Sequence, residues 1–110
     1  MDRIQDYINQ FEDTKREWLE QLVIFMREET NMKECFDYKM PTYKGNGFYI
    51  AFAVQKNYFS FYTDAVSALG IFKIEMITKS LGKGCARIKY NERNAVEVMI
   101  KVIKEIINMK

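Results

Sequence analysis

The chain has 110 residues, 48% hydrophobic and 29% charged, with a formal net charge of +2 and no histidine. That length suits one domain spanning residues 1–110 with a core of its own, and the composition is not that of a disordered chain. Without histidine, Ser–His–Asp triads, haem–histidine ligation and Cys/His zinc fingers are excluded.

The elements follow in chain order. Asp2 and Gln5 have the spacing of a helix start, and Ile4, Ile8 and Phe11 repeat at helical intervals behind them. Thr14 with Glu17 predicts the capping box of a longer helix reaching about Glu29. Its apolar stripe is Trp18, Leu22, Phe25 and Met26, widened by Leu19 and Val23. From Lys33 the period changes to two. Glu34 to Tyr38 reads as a short strand, Met40-Pro41 as its break, since proline has no N–H for a central ladder, and Thr42 to Lys44 as its resumption. Gly45-Asn46-Gly47 is a turn signal. Phe48, Ile50, Phe52 and Val54 alternate with Tyr49, Ala51, Ala53 and Gln55, and Lys56-Asn57 turns the chain into a strand over Tyr58 to Tyr62.

Thr63 or Asp64 caps the next helical stretch, whose apolar face is Val66, Leu69, Phe72, Met76, Ile77 and Leu81. Gly70 interrupts it at a cost of about 1 kcal/mol against alanine, which predicts a break there. Gly82-Lys83-Gly84 ends it. Cys85 to Tyr90 alternates again, with Ala86, Ile88 and Tyr90 on one face. Asn94 with Glu97 caps a last helix carrying Val96, Met99, Val102, Ile103, Ile106 and Ile107. The expected fold class is therefore α+β in the order α-α-β-β-β-β-α-β-α. It comprises a mostly antiparallel sheet of four to five strands with helices on one face.

The cysteines, Cys35 and Cys85, lie far apart and outside any C-x-x-C pair, so reduced thiols are expected. The polar start, Met1-Asp2-Arg3-Ile4-Gln5-Asp6, lacks the pattern of a signal peptide, and no apolar run approaches membrane-spanning length, so a cytoplasmic protein is expected. Residues 1–40 hold 10 acids against 6 bases, and residues 41–110 hold 5 against 11. Such asymmetry marks either two binding faces or two solvated surfaces.

Candidate chemistry is sparse. Gly82-Lys83-Gly84 has the glycines of a phosphate loop but sits between helix and strand, the reverse of the Walker order, and fits a helix C-cap. Asp13, Glu17 and Glu20 share a helical face, so they are the candidate cation ligands, although Glu12–Arg16 and Arg16–Glu20 spacings also fit ordinary surface ion pairs. Lys79, Lys83, Arg87, Lys89 and Arg93 with Tyr38, Tyr43, Tyr49, Tyr58 and Tyr62 combine cations and rings as nucleic-acid binders do, but an isoelectric point near 8.5 falls short of the usual footprint. Cys85 beside Arg87 lacks a histidine base, so no cysteine hydrolase is supported. No acid–base pair has a spacing that names a reaction, and the expectation is a non-enzymatic protein.

Several segments together resemble a known family. They are Asp6-Tyr7-Ile8, Tyr38-Lys39-Met40-Pro41-Thr42-Tyr43-Lys44, Phe52-Ala53-Val54-Gln55-Lys56, Phe61-Tyr62 and Lys83-Gly84-Cys85-Ala86-Arg87-Ile88. In order and spacing they are similar to the YdhG-like bacterial domain family, long catalogued as a domain of unknown function, over about Ile4 to Ile106. The resemblance implies a compact α+β fold. Since some members are described as frataxin-like iron chaperones, it also implies an iron-handling role, with weakly bound iron and with iron–sulfur or haem assembly proteins as partners. The chain departs from the family pattern at Lys39 and Ser60, where glycine is usual, at Tyr58, often histidine, and at Thr63, often proline. Iron would then have to use carboxylates or the two thiols. The alternative is a ligand- or protein-binding module without a metal, using a Met40-Pro41-Tyr43 loop, the sheet aromatics including Tyr38, and Lys83 and Arg87 if they converge with Tyr43 on a pocket. Oligomeric state is left open by the sequence.

Overall fold

The structure, a computed structural model, describes residues 2–75 and 81–109. In chain order these form α1 (Arg3–Ile8), α2 (Asp13–Glu29), β1 (Lys33–Asp37), β2 (Met40–Gly45), β3 (Phe48–Val54), β4 (Phe59–Thr63), a 3-10 turn (Val66–Leu69), α3 (Gly70–Glu75), β5 (Cys85–Ile88) and α4 (Ala95–Asn108). The α+β class and the element order are those expected. The sheet has five strands in the order β1-β2-β3-β4-β5, every neighbouring pair antiparallel. No helix among the described residues is long and apolar enough to cross a membrane.

Side-chain alternation along the strands divides the sheet into two faces. One face carries Tyr43, Ile50, Phe52, Phe59, Phe61, Ala86 and Ile88, all buried. Against it pack Trp18, Leu19, Leu22, Val23 and Met26 of α2, and Val98, Met99, Val102, Ile103 and Ile106 of α4. Rings run through this layer: Phe52 meets Tyr43, Phe59 and Phe61, Phe61 meets Phe72 of α3, and Phe59 meets Trp18. Two tyrosines fasten the β3–β4 hairpin to the helical side. The Tyr90 hydroxyl donates toward the carbonyls of Gln55 (2.8 Å) and Tyr58 (2.9 Å), and the Tyr7 hydroxyl accepts from the Val54 N–H at 2.9 Å.

The helix ends depart in part from their sequence signals. Asp2 caps α1 as expected, its Oδ1 accepting from the N–H groups of Ile4 and Gln5, but the Gln5 side chain turns outward to Asn9, so the reciprocal half of the box is not made. α2 begins at Asp13, ahead of the Thr14–Glu17 box, and its N-cap Glu12 makes no side-chain capping bond. Asn94 occupies the N-cap of α4 but likewise makes no side-chain cap. Packing of the broad apolar faces, rather than capping, holds both helices. Gly70 marks the expected break, where the 3-10 turn passes into α3. Val66 is exposed rather than part of the apolar face, and Met76, Ile77 and Lys79 lie outside the described residues.

Pro41 does not break the strand. It pairs with Phe36 inside β2, and the chain reverses two residues earlier, at Tyr38-Lys39, because Asp37 pairs directly with Met40. The proline leaves its mark on the other side. The β2–β3 ladder runs from Gly45–Phe48 to Thr42–Ala51 and stops there. In the alternation of antiparallel bonding, the next pair would need the missing proline N–H.

Both two-residue hairpin turns require left-handed backbone. At the β2–β3 turn Asn46 (φ 54°) and Gly47 (φ 80°) meet that requirement with residues suited to it. At the β1–β2 turn the same role falls to Tyr38 (φ 52°) and Lys39 (φ 61°), neither of which is suited. Lys39→Gly should therefore raise stability by about 1 kcal/mol, after allowance for glycine's greater freedom in the unfolded chain. Urea denaturation checks this, with an unchanged or lower midpoint contradicting the strain.

Candidate functional site

The face of the sheet away from the helices is covered by no described helix. β1 sends Lys33, Cys35 and Asp37 to it, and β2 sends Met40, Thr42 and Lys44. β3 contributes Tyr49, Ala51 and Ala53, β4 Ser60 and Tyr62, and β5 Cys85 and Arg87. Its middle is floored by small side chains, Thr42, Ala51, Ala53 and Ser60, all buried. Over this floor lies a groove of about 370 Å³, lined by Asp37, Tyr38, Met40, Thr42, Lys44, Tyr49 and Ala51.

The groove's walls come from the strained turn and from three strands, β1, β2 and β3. Tyr38, 92% exposed, stands at the turn, held there by a backbone that an aromatic residue seldom adopts. Lys44 pairs with Asp37 at 2.6 Å, and that hydrogen bond, with the attraction of the carboxylate, raises the ammonium's pKa so that it stays charged. Burial raises the pKa of the Tyr49 phenol, with Asp64 adding to the effect, so the ring presents a neutral hydroxyl. Further along the face the Arg87 guanidinium lies over the Tyr58 ring at 5.3 Å, a cation–π contact.

The candidates named from the sequence separate. Met40 and Tyr38 line the groove, whereas Pro41 and Tyr43 do not. The Met40-Pro41-Tyr43 segment is strand, not loop, so its alternate residues point to opposite faces. Tyr43 is fully buried on the helical side, where its hydroxyl donates to Glu34 Oε2 at 2.7 Å. Glu34 in turn takes a two-pronged bond from Arg27 (2.7 and 2.9 Å), which also reaches Asp2 at 3.5 Å. This network ties the end of α2 to β1, β2 and the start of α1. It is structural, and Tyr43, Lys83 and Arg87 do not converge: Lys83 is exposed in the approach to β5, and Arg87 lies on the uncovered face.

Gly82-Lys83-Gly84 builds a turn into β5. The Gly82 N–H donates to the Cys85 carbonyl at 2.8 Å, and the Thr63 N–H to the Gly84 carbonyl at 3.0 Å. Asp13, Glu17 and Glu20 are not gathered into a ligand set. Glu20 is paired with Arg16 at 3.5 Å, as its spacing suggested, and among the described residues no group of three or more cysteine, aspartate or glutamate side chains is arranged to hold a metal ion. Cys35 and Cys85 are free, at the two ends of one cross-strand row through Thr42, Ala51 and Tyr62. Four strand spacings put them about 19 Å apart, far beyond disulfide reach. Sequence reasoning missed Lys33, Asp37 and Lys44, whose shared face depends on register. Ala51 and Ala53, small residues in a strand of bulky ones, were the available sign of the floor.

No family model matches the chain, and no curated protein matches it. A solved structure does. The chain has the fold of a DUF1801-family protein, YdhG of Bacillus subtilis. The TM-score to that crystal structure is 0.70, over 91% of this chain and 84% of the other, at 17% sequence identity. At that identity the likeness to YdhG establishes the shared fold and no shared chemistry.

On this YdhG-like framework the Arg27–Glu34–Tyr43 network has a measurable pH signature. The hydrogen bond from Arg27 lowers the Glu34 pKa from its ordinary 4.5, against the opposing effect of burial. A carboxylate with a lowered folded pKa contributes stability that is complete above the unfolded value and lost as pH falls through the folded one. Glu34→Gln should cost about 1–2 kcal/mol near neutrality, discounted for the pair's partial exposure, and should flatten the stability-versus-pH curve below about 4.5. Equal acid slopes for wild type and variant, by urea midpoints across pH, would contradict this account.

Proposed function

We propose that the protein is a non-enzymatic binding module whose working surface is the uncovered face of the sheet. The observation that carries this is the groove over Thr42 and Ala51, walled by Tyr38, Met40 and Tyr49, with the Asp37–Lys44 pair at its side. A few polar groups beside an apolar, aromatic-walled hollow are what small-ligand and peptide sites offer. The strain at Tyr38-Lys39 supports the same reading. A left-handed aromatic is costly to keep, and here that backbone sets Tyr38 at the rim of the groove. The YdhG-like family placement suggested by the motifs and by the shared fold is part of this proposal, and it leaves the ligand open.

The test is an amide chemical-shift titration of the labelled protein with pooled nucleotides, amino acids, sugar phosphates and short peptides. Shifts should cluster at Tyr38, Met40, Thr42, Tyr49 and Ala51, and Ala51→Trp, which fills the floor, should weaken the response at least tenfold. Responses confined to the helical layer, or none from any pool, would reject the sheet-face reading. An anaerobic ferrous-iron titration is the arm for the iron-handling role that the resemblance implies. Saturable micromolar binding lost in Glu17→Ala/Glu20→Ala would favour that role over this one.

A further inference from the structure

Building on the sheet-face reading, we infer that the uncovered face binds single-stranded nucleic acid, with bases stacked on its tyrosines and phosphates held at two cationic corners. Register creates the first corner. Lys33 and Lys44 stand directly opposite each other across β1 and β2, an arrangement of like charges that is unfavourable by itself. Asp37 answers Lys44, and among the described residues no ion pair engages Lys33. The second corner holds Arg87 over Tyr58, with exposed Lys89 two residues on.

Between the corners lie half-buried Tyr49, opposite Lys44, and half-buried Tyr62, opposite Ala51 and Cys85. Three strand spacings and four residues of rise separate Lys44 from Arg87 by about 20 Å on the diagonal. That is the reach of about four nucleotides, the lower end of what one sheet-based module covers. The groove over Thr42 and Ala51, between Tyr38 and Tyr49, is the hollow in which a base would sit.

The overall charge of +2 understates this surface. Two acids stand by it, Asp37, tied to Lys44, and Asp64, whose Oδ1 accepts from the Tyr49 N–H at its margin, against Lys33, Lys44, Arg87 and Lys89. That local excess of cations, not the isoelectric point, governs approach of a polyanion. The rings decide the class of partner. An acidic peptide would use the cations and gain little from tyrosine faces, whereas unpaired bases use both. A duplex hides its base faces, and a flat sheet enters neither groove.

Fluorescence anisotropy of a labelled mixed-sequence 12-nucleotide strand tests the inference with the full chain at about 50 mM salt. Micromolar binding is expected, falling with salt along a log–log slope of about −2 to −3 for three or four phosphates neutralised. Lys44→Glu and Arg87→Glu should each weaken binding at least tenfold, and Tyr62→Ala several-fold at an unchanged salt slope. Lys104→Glu, on exposed α4 surface, should leave binding unaltered, with amide spectra showing that each variant is folded. Absence of binding overturns the inference, as does equal affinity for the matching duplex or insensitivity to the sheet-face variants. Poly-glutamate binding in place of the oligonucleotide also overturns it. In those cases, shifts on the groove residues with another pool leave the broader binding reading standing, whereas a sheet face that responds to nothing ends both.

Discussion

Phe52 is the point on which the fold turns. It sits in the central strand and meets three rings at once: Tyr43 at 5.9 Å, Phe59 at 6.2 Å and Phe61 at 5.8 Å. Through Phe59 and Phe61 the contact passes to Trp18 of α2 and Phe72 of α3, so one cluster joins three strands to two helices. Aromatic pairs at these separations add to the burial of the rings themselves. Pleat geometry then dictates the rest. With Phe52 turned to the helices, Ala51 and Ala53 must turn away, and the opposite face acquires its low floor without any further device.

The uneven distribution of charge along the chain maps onto this division only in part. The acid-rich first forty residues supply α1, α2 and only one edge strand, so most of their carboxylates decorate the helical layer. The base-rich remainder supplies four of the five strands. Of its bases, however, Lys44 and Arg87 are the ones that stand on strands, and Lys73, Lys101 and Lys104 lie on α3 and α4, so the division of charge along the chain is not a division between the two layers.

Where pattern and packing agree, the fold was legible. Phe48 to Val54 alternates cleanly because that strand is buried on one face and sits between two neighbours, and Asn46-Gly47 names its turn by chemistry. The Tyr38-Lys39 turn was hidden because it uses residues that oppose its own geometry, and a search for turn chemistry passes over it to the nearby proline. The groove was half legible: Tyr38 and Met40 follow from the motif, but Tyr43, grouped with them as part of one loop, lies on the opposite face, because a segment read as loop conceals the alternation that a strand imposes. Lys33 and Lys44 are eleven positions apart, and only the pairing of β1 with β2 makes them neighbours. Capping signals at Thr14 and Asn94 misled for a different reason, since helices clamped by long apolar faces need no help at their ends.

The sheet order β1-β2-β3-β4-β5 repeats the chain order, and its first three connections are short turns. Each of those pairings closes only a small loop, so little chain entropy is lost before a contact rewards it. Such local wiring is the kind associated with rapid assembly among mixed α/β domains. The late and slow events are then the docking of α2 and α4, elements from opposite ends of the chain that must both find the Phe52 cluster. A nascent chain can zip the hairpins as they emerge, with α2 already made to cover part of their greasy face, but the rest of that face stays bare until α4 is made.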